Sequence, residues 1–252
     1  GFRRMEAFLA PSAMGSLARA YALRALHVAE SNPGRYDFVL CEPGIPVPRN
    51  GYLFESDDSE SLANLIVAEN PQLELALART FPLFRKAVAD RIIHRTAREN
   101  ALFSLVTALP NVIPSFIELP WTLGEFATDT AFLTMNQIRM AMKMAAAHGQ
   151  PVGYAEQKVA FAAILAGAFG WRAIARELVG KIPLGGGLIP KAAVAFAGTW
   201  VVGLGLDKVH RTGSGLTREE KREAYATAFL NGKEIARELA PGLQGGEGGQ
   251  QG

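Results

Sequence analysis

One cysteine, Cys41, stands in 252 residues. No internal disulfide can form and no CxxC pair exists, which fits a reducing compartment and a small buried thiol. Charged residues are also scarce, at 20% against 49% apolar, where soluble domains carry about 25% charged. The formal charge of +2 gives no case for nucleic acid as a partner. The four histidines, His27, His94, His148 and His210, are scattered and form no ligand pair at metal-binding spacing. A nucleophile elbow and a dinucleotide fingerprint are both missing. The glycines after Lys181 do not make a phosphate loop. That motif sets its lysine after the glycines and follows a strand, whereas here Lys181 precedes Gly185, Gly186 and Gly187. The pattern therefore assigns no catalytic, cofactor-binding or metal-ligating residue and no cofactor, and favours a protein that is not an enzyme.

What the chain does hold is three apolar, nearly charge-free stretches, residues 101–117, 159–171 and 192–206. A spanning helix needs roughly 20 apolar residues, and each stretch falls short or is broken. Pro110 and Pro114 interrupt the first and Pro120 follows just beyond it, three prolines within eleven residues, and a helix does not pass three prolines unbroken. Such lengths suit a re-entrant hairpin, an interfacial helix or the core of a soluble bundle. Mean hydropathy is +0.10, well below that of a polytopic membrane protein.

Local signals give the element order. Residues 12–30 read as a helix capped by Ser12, residues 35–41 as a buried strand, 42–50 as a Pro/Gly loop and 52–54 as a short strand. Residues 57–70 read as a short helix stopped by Asn70-Pro71. The start at Gly1-Phe2-Arg3-Arg4 and the incomplete sheet read as the end of a truncated upstream domain, and the apolar run 7–10 is too short for a signal peptide. Helical patterns follow at 81–109, 123–148, 154–179 and 189–209. Thr217-Arg218-Glu219-Glu220 is a capping box. The helix it opens puts Tyr225, Ala228, Phe229, Gly232, Ile235, Ala236 and Leu239 on one face and ends at Pro241-Gly242. The expected fold is mainly α: a helical bundle with a Gly-rich apolar helical hairpin, preceded by a small α/β remnant. The domains are residues 1–71, 72–240 and a disordered Gly/Gln-rich tail, 241–252.

Two residue sets carry the functional reading. Ala162, Ala163, Ala166, Gly167 and Gly170, with Ala193, Ala197 and Gly198 in the next helix, repeat small residues about every fourth position. That spacing allows close backbone approach between helices, in lipid or in a tight soluble hairpin. Thr122, Glu125, Asp129, Asn136, Arg139 and Lys143 form a polar stripe on an otherwise apolar helix. It reads either as a solvent face or as a polar seam in which Glu125, Asp129, Asn136 and Arg139 meet Arg172 and Arg176. Buried charges require such partners. The basic stretch 85–98 reads either as a solvated helix face or as a contact for anionic lipid headgroups.

The segments Phe132-Leu133-Thr134-Met135-Asn136-Gln137-Ile138-Arg139-Met140, Ala166-Gly167-Ala168-Phe169-Gly170-Trp171-Arg172, Gly180-Lys181-Ile182-Pro183, Gly185-Gly186-Gly187-Leu188-Ile189-Pro190-Lys191-Ala192 and Ala197-Gly198-Thr199 resemble, in this order, the bacterial family called "domain of unknown function 697". The resemblance covers about residues 75–240. It implies a helical module of inner-membrane proteins, also found behind GTPase-like domains, with no catalytic residues to carry over. The expected function is a non-enzymatic, membrane-associated module at the cytoplasmic face of a bacterial inner membrane, with lipid as its partner. The alternative is a soluble, cytoplasmic regulatory bundle that docks on a GTPase-like domain. A second copy of the chain is a further partner in view.

Overall fold

The computed structural model describes residues 6–9, 26–28, 37–44, 46–55, 58–107, 129–153, 155–162 and 188–244. Among these, helix dominates, and a small parallel sheet precedes it. The chain divides into two compact units, Gly1–Val88 and Ala89–Gly252.

In the first unit, strands β1 (Glu6–Leu9), β2 (Leu26–Val28), β3 (Val39–Cys41) and β4 (Gly51–Leu53) pair in the order β2-β1-β3-β4, all parallel. Phe38, Val39 and Cys41 are buried, as the apolar run around β3 requires. The helix expected over 12–30 does not reach its end, because Leu26–Val28 pairs with Ala7–Leu9. Parallel pairing with a distant segment has overridden local helical periodicity there. Three of the four residues of β1, Glu6, Ala7 and Leu9, are good helix formers, and only Phe8 favours a strand.

Helix α1 (Ser59–Glu69) buries Ala63, Ile66 and Val67. Its end is tied to the sheet by Tyr52, whose hydroxyl donates to Glu69 Oε2 at 2.6 Å and accepts from Asn70 Nδ2 at 2.9 Å. Burial and the Glu69 carboxylate raise the Tyr52 phenol above its ordinary value, so it stays a donor. A 3-10 turn at Pro71–Leu73 leads into α2 (Glu74–Thr80), and a second at Pro82–Phe84 leads into α3 (Arg85–Val106). Proline at the start of each turn loses only an N–H that would lack a helical partner anyway. The turns Pro71–Leu73 and Pro82–Phe84 pack on α1.

The second unit is a bundle of α3, α4 (Asp129–Ala147), α5 (Leu188–Thr212) and α6 (Arg218–Gln244). Its core joins Ala97, Ala101 and Leu105 of α3 to Ala192, Phe196, Ala197 and Val201 of α5 and to Tyr225, Ala228 and Ala236 of α6. Alanine is abundant at these contacts, so the helices approach closely. Gly232 of α6 stands where a Cβ would meet Phe196 Cβ at 3.0 Å and the Ala193 backbone at 3.1 Å, and a Cβ on Gly203 would meet Ile93 Cγ1 at 2.6 Å. The capping box forms as expected: the Glu220 amide donates to Thr217 Oγ1 at 3.2 Å and the Thr217 amide to Glu220 Oε2 at 2.7 Å. Lys208 also reaches Glu220, at 2.7 Å, fastening the end of α5 to the start of α6. Pro241 does not end α6, which runs on to Gln244. Proline's fixed φ is helical, and one proline in a final turn removes a single donor.

Candidate functional site

Three helices meet at a buried junction of uncharged polar side chains. Asn100 of α3 is fully buried. Its Oδ1 accepts from Asn136 Nδ2 of α4 at 2.8 Å, and its Nδ2 donates to Thr199 Oγ1 of α5 at 2.8 Å. Thr199 in turn donates to the Ala195 carbonyl at 2.8 Å. Gln137 Nε2 stands 3.5 Å from Thr199 Oγ1, and the Leu133 carbonyl 3.5 Å from Asn100 Nδ2. An amide buried without partners costs about 1–3 kcal/mol, so this set favours one register of α3, α4 and α5. Two of the segments that carried the family resemblance, Leu133–Gln137 and Ala197–Thr199, converge here. Amides and a hydroxyl without a neighbouring base are poor nucleophiles at neutral pH, and they serve here as donors and acceptors.

A second cluster closes the other end of α4 and α5. His148, with 4% of its side chain exposed, places Nε2 at 3.1 Å from Asp207 Oδ1, and Arg211 Nε donates to Asp207 Oδ2 at 2.7 Å. The imidazoles of His148 and His210 stack at 5.0 Å between centroids, 17° from parallel. Gly149, at φ 72, turns the chain immediately after His148, a left-handed position that suits glycine. Burial by itself would raise the Asp207 carboxyl, but hydrogen bonds and charge from His148 and Arg211 outweigh it and hold the group below its ordinary value. Burial, then the adjacent His148, depress His210 below its ordinary value, and Asp207 only partly opposes them. His148 and His210 are 62 positions apart, and no spacing pattern marks the pair. Among the described residues, no group of three or more His, Cys, Asp or Glu side chains could hold a metal ion.

The expected site residues are distributed as follows. Asn136 is buried in the junction, whereas Arg139, one turn on, is exposed. The proposed seam therefore does not include Arg139 among the described contacts. Asp129 is the first residue of α4. Glu125, Arg172 and Arg176 lie outside the described residues, as do Ala163, Ala166, Gly167 and Gly170. Ala162 is exposed, and residues 158–162 are helical. Ala193 and Ala197 are fully buried, and the observed small-residue contact of Ala193 is with Gly232 of α6. Among the described residues nothing lies within 4 Å of where a Cβ would stand on Gly198. Asn100 escaped the sequence reading. The available signal was an amide at helical spacing from Ala97 and Ser104, on a run otherwise suited to a core.

In the first unit an open cleft of about 470 Å³ lies at the start of α1, lined by Tyr52, Leu53, Glu55, Asp58 and Leu65 among others. Among the described residues it carries two carboxylates and no cation. No family model, no curated protein and no solved structure matches the chain.

Proposed function

We propose that the helical region of about residues 72–240 is a non-enzymatic, membrane-associated module at the cytoplasmic face of a bacterial inner membrane. The observation that carries this reading is the surface of α5. The helix runs 25 residues, reaches a mean hydropathy of 1.5 over an 18-residue window, and has only 39% of that window buried inside the structure. Helices of this length and composition cross membranes, and they also form the cores of soluble bundles. The contacts of α5 with α3, α4 and α6 through Thr199, Gly203, Asp207 and Ala193 favour a packed helix with apolar surface to spare over an isolated span. The apolar stretches 101–117 and 159–171 and the family resemblance point the same way. Fractionation tests the reading. The intact protein pellets with membranes and requires detergent for release. Recovery wholly in the soluble fraction would overturn it.

A second reading is a regulatory bundle associated with a GTPase-like domain. It draws support from the parallel sheet of the first unit, because open sheets with the order β2-β1-β3-β4 commonly bind nucleotides at the carboxyl ends of their strands. Equilibrium binding of a fluorescent GDP analogue to the full chain separates the two readings. Saturable binding favours the second, and its absence together with membrane recovery favours the first.

A further inference from the structure

We infer that the outward faces of α3 and α4 form a docking surface for anionic lipid headgroups, an inference that rests on the membrane reading above. The polar junction and an aromatic stack fix how these helices run. Asn100 meets Asn136 at 2.8 Å, and Phe103 stacks on Phe132 at 3.8 Å between centroids. Rising numbers on α3 therefore match falling numbers on α4. With the inner faces held in that register, the outer positions sort by chemistry along the pair. Leu102, 38% exposed, and Met135, 49% exposed, lie toward the end of α3 and the start of α4. Arg98, Arg139 and Lys143 follow at successive turns in the opposite direction, all exposed.

Apolar side chains at one end and a cationic collar behind them match the layers of a bilayer surface. The apolar groups enter below the headgroups and the cations stay among them. Charge complementarity names the occupant. Arg98, Arg139 and Lys143 have no ion pair among the described residues. Glu99 is the one carboxylate beside Arg98, and α4 carries none after Asp129. An anionic lipid surface offers both partners, a phosphate layer for the cations and acyl chains for Leu102 and Met135. Each cation near such a surface strengthens partition about five-fold.

The test is flotation of the full chain with vesicles of phosphatidylcholine alone or mixed with phosphatidylglycerol. The chain should float with the mixed vesicles and much less with phosphatidylcholine, and raised salt should weaken binding. The triple variant Arg98→Gln, Arg139→Gln, Lys143→Gln should lose about a hundred-fold in partition while keeping its thermal melt, because all three side chains are exposed. A control that removes Arg218, Lys221 and Arg237 from α6 lowers net charge equally and should bind as the parent does. Parent-like binding by the triple variant, or equal loss in the control, would overturn this surface and leave the membrane reading intact. Equal flotation with both vesicle types would overturn its anionic character alone. Binding of soluble heparin without any binding to vesicles would replace lipid by a polyanion. No flotation under any condition would defeat both the surface and the membrane reading.

Discussion

The side-chain amide of Asn136 donates to Asn100 Oδ1 at 2.8 Å across two helices whose residues lie 36 positions apart. Because Asn100 also donates to Thr199, removing either outer partner leaves a buried amide group without its match. Asn136→Ala and Thr199→Val are each expected to destabilise the chain by about 1–3 kcal/mol. In a double-mutant cycle with Asn100→Ala, both should be strongly non-additive, since all three act on one network. Urea denaturation followed by circular dichroism measures this. Full additivity would mean that the three residues contribute separately and the junction does not act as a unit.

The glycines of the bundle make a sharper comparison. A methyl group on Gly232 meets Phe196 and the backbone of Ala193, and one on Gly203 meets Ile93, whereas Gly198 has open space among the described residues. The small-residue spacing expected Gly198 to pack on the helix over 154–179, most of which lies outside the described residues. Gly203→Ala and Gly232→Ala should lower stability by about 1–3 kcal/mol through overpacking. Gly198→Ala should be neutral or raise it by up to about 1 kcal/mol, because alanine is the better helix former. Thermal melts of the three single variants decide the matter, and a Gly198→Ala melt depressed as far as that of Gly232→Ala would refute the assignment.

Thr217 offers a local test. Its hydroxyl accepts from the Glu220 amide, and its own amide donates to the Glu220 carboxylate. Thr217→Ala should cost about 1 kcal/mol, and Thr217→Asp much less, because aspartate also caps. Hydrogen exchange of the first turn of α6 should quicken in the alanine variant. Unchanged protection there would show that α6 is held by its packing on α5 and that the cap contributes little.

These positions show how far the chain could be read before its structure was known. The cap of α6 and its inward face from Tyr225 to Leu239 were readable because each depends on residues within a few positions of one another. Mainly helical architecture followed from the same local periodicities. The pairing of Leu26–Val28 with β1 was hidden because strand order is set by partners elsewhere in the chain. The polar stripe on α4 included Asn136 among its members, but periodicity alone could not tell its buried amide from the exposed Arg139 on the next turn. Asn100 was invisible for a related reason: an isolated amide in a helix reads as a surface residue until two other helices bring it partners. Asp207 and His210 share α5 one turn apart, but His148 follows the end of α4, and no spacing rule joins it to them.

That last cluster makes stability depend on pH in two separate windows. His210 has an ordinary value of 6.5 and is depressed in the fold by burial and by His148. Above pH 6.5 it is neutral in both folded and unfolded chains and has no effect. As pH falls below 6.5 the unfolded chain takes up the proton first, so the folded state loses stability until the depressed folded value is passed. Asp207 works lower. Its carboxyl has an ordinary value of 3.8 and is held below that in the fold. Its contribution is fully present above 3.8 and disappears as pH drops through the folded value. The melting temperature of the parent chain should therefore fall between pH 7.5 and 5, and His210→Gln should flatten that decline. Asp207→Asn should lower the melt at pH 7.5, where the carboxylate supports both Arg211 and His148, and bring the variant closer to the parent at pH 3. Parallel pH profiles for the parent and His210→Gln would mean that the stacked imidazoles do not govern acid sensitivity, and the decline would have to come from groups outside this cluster.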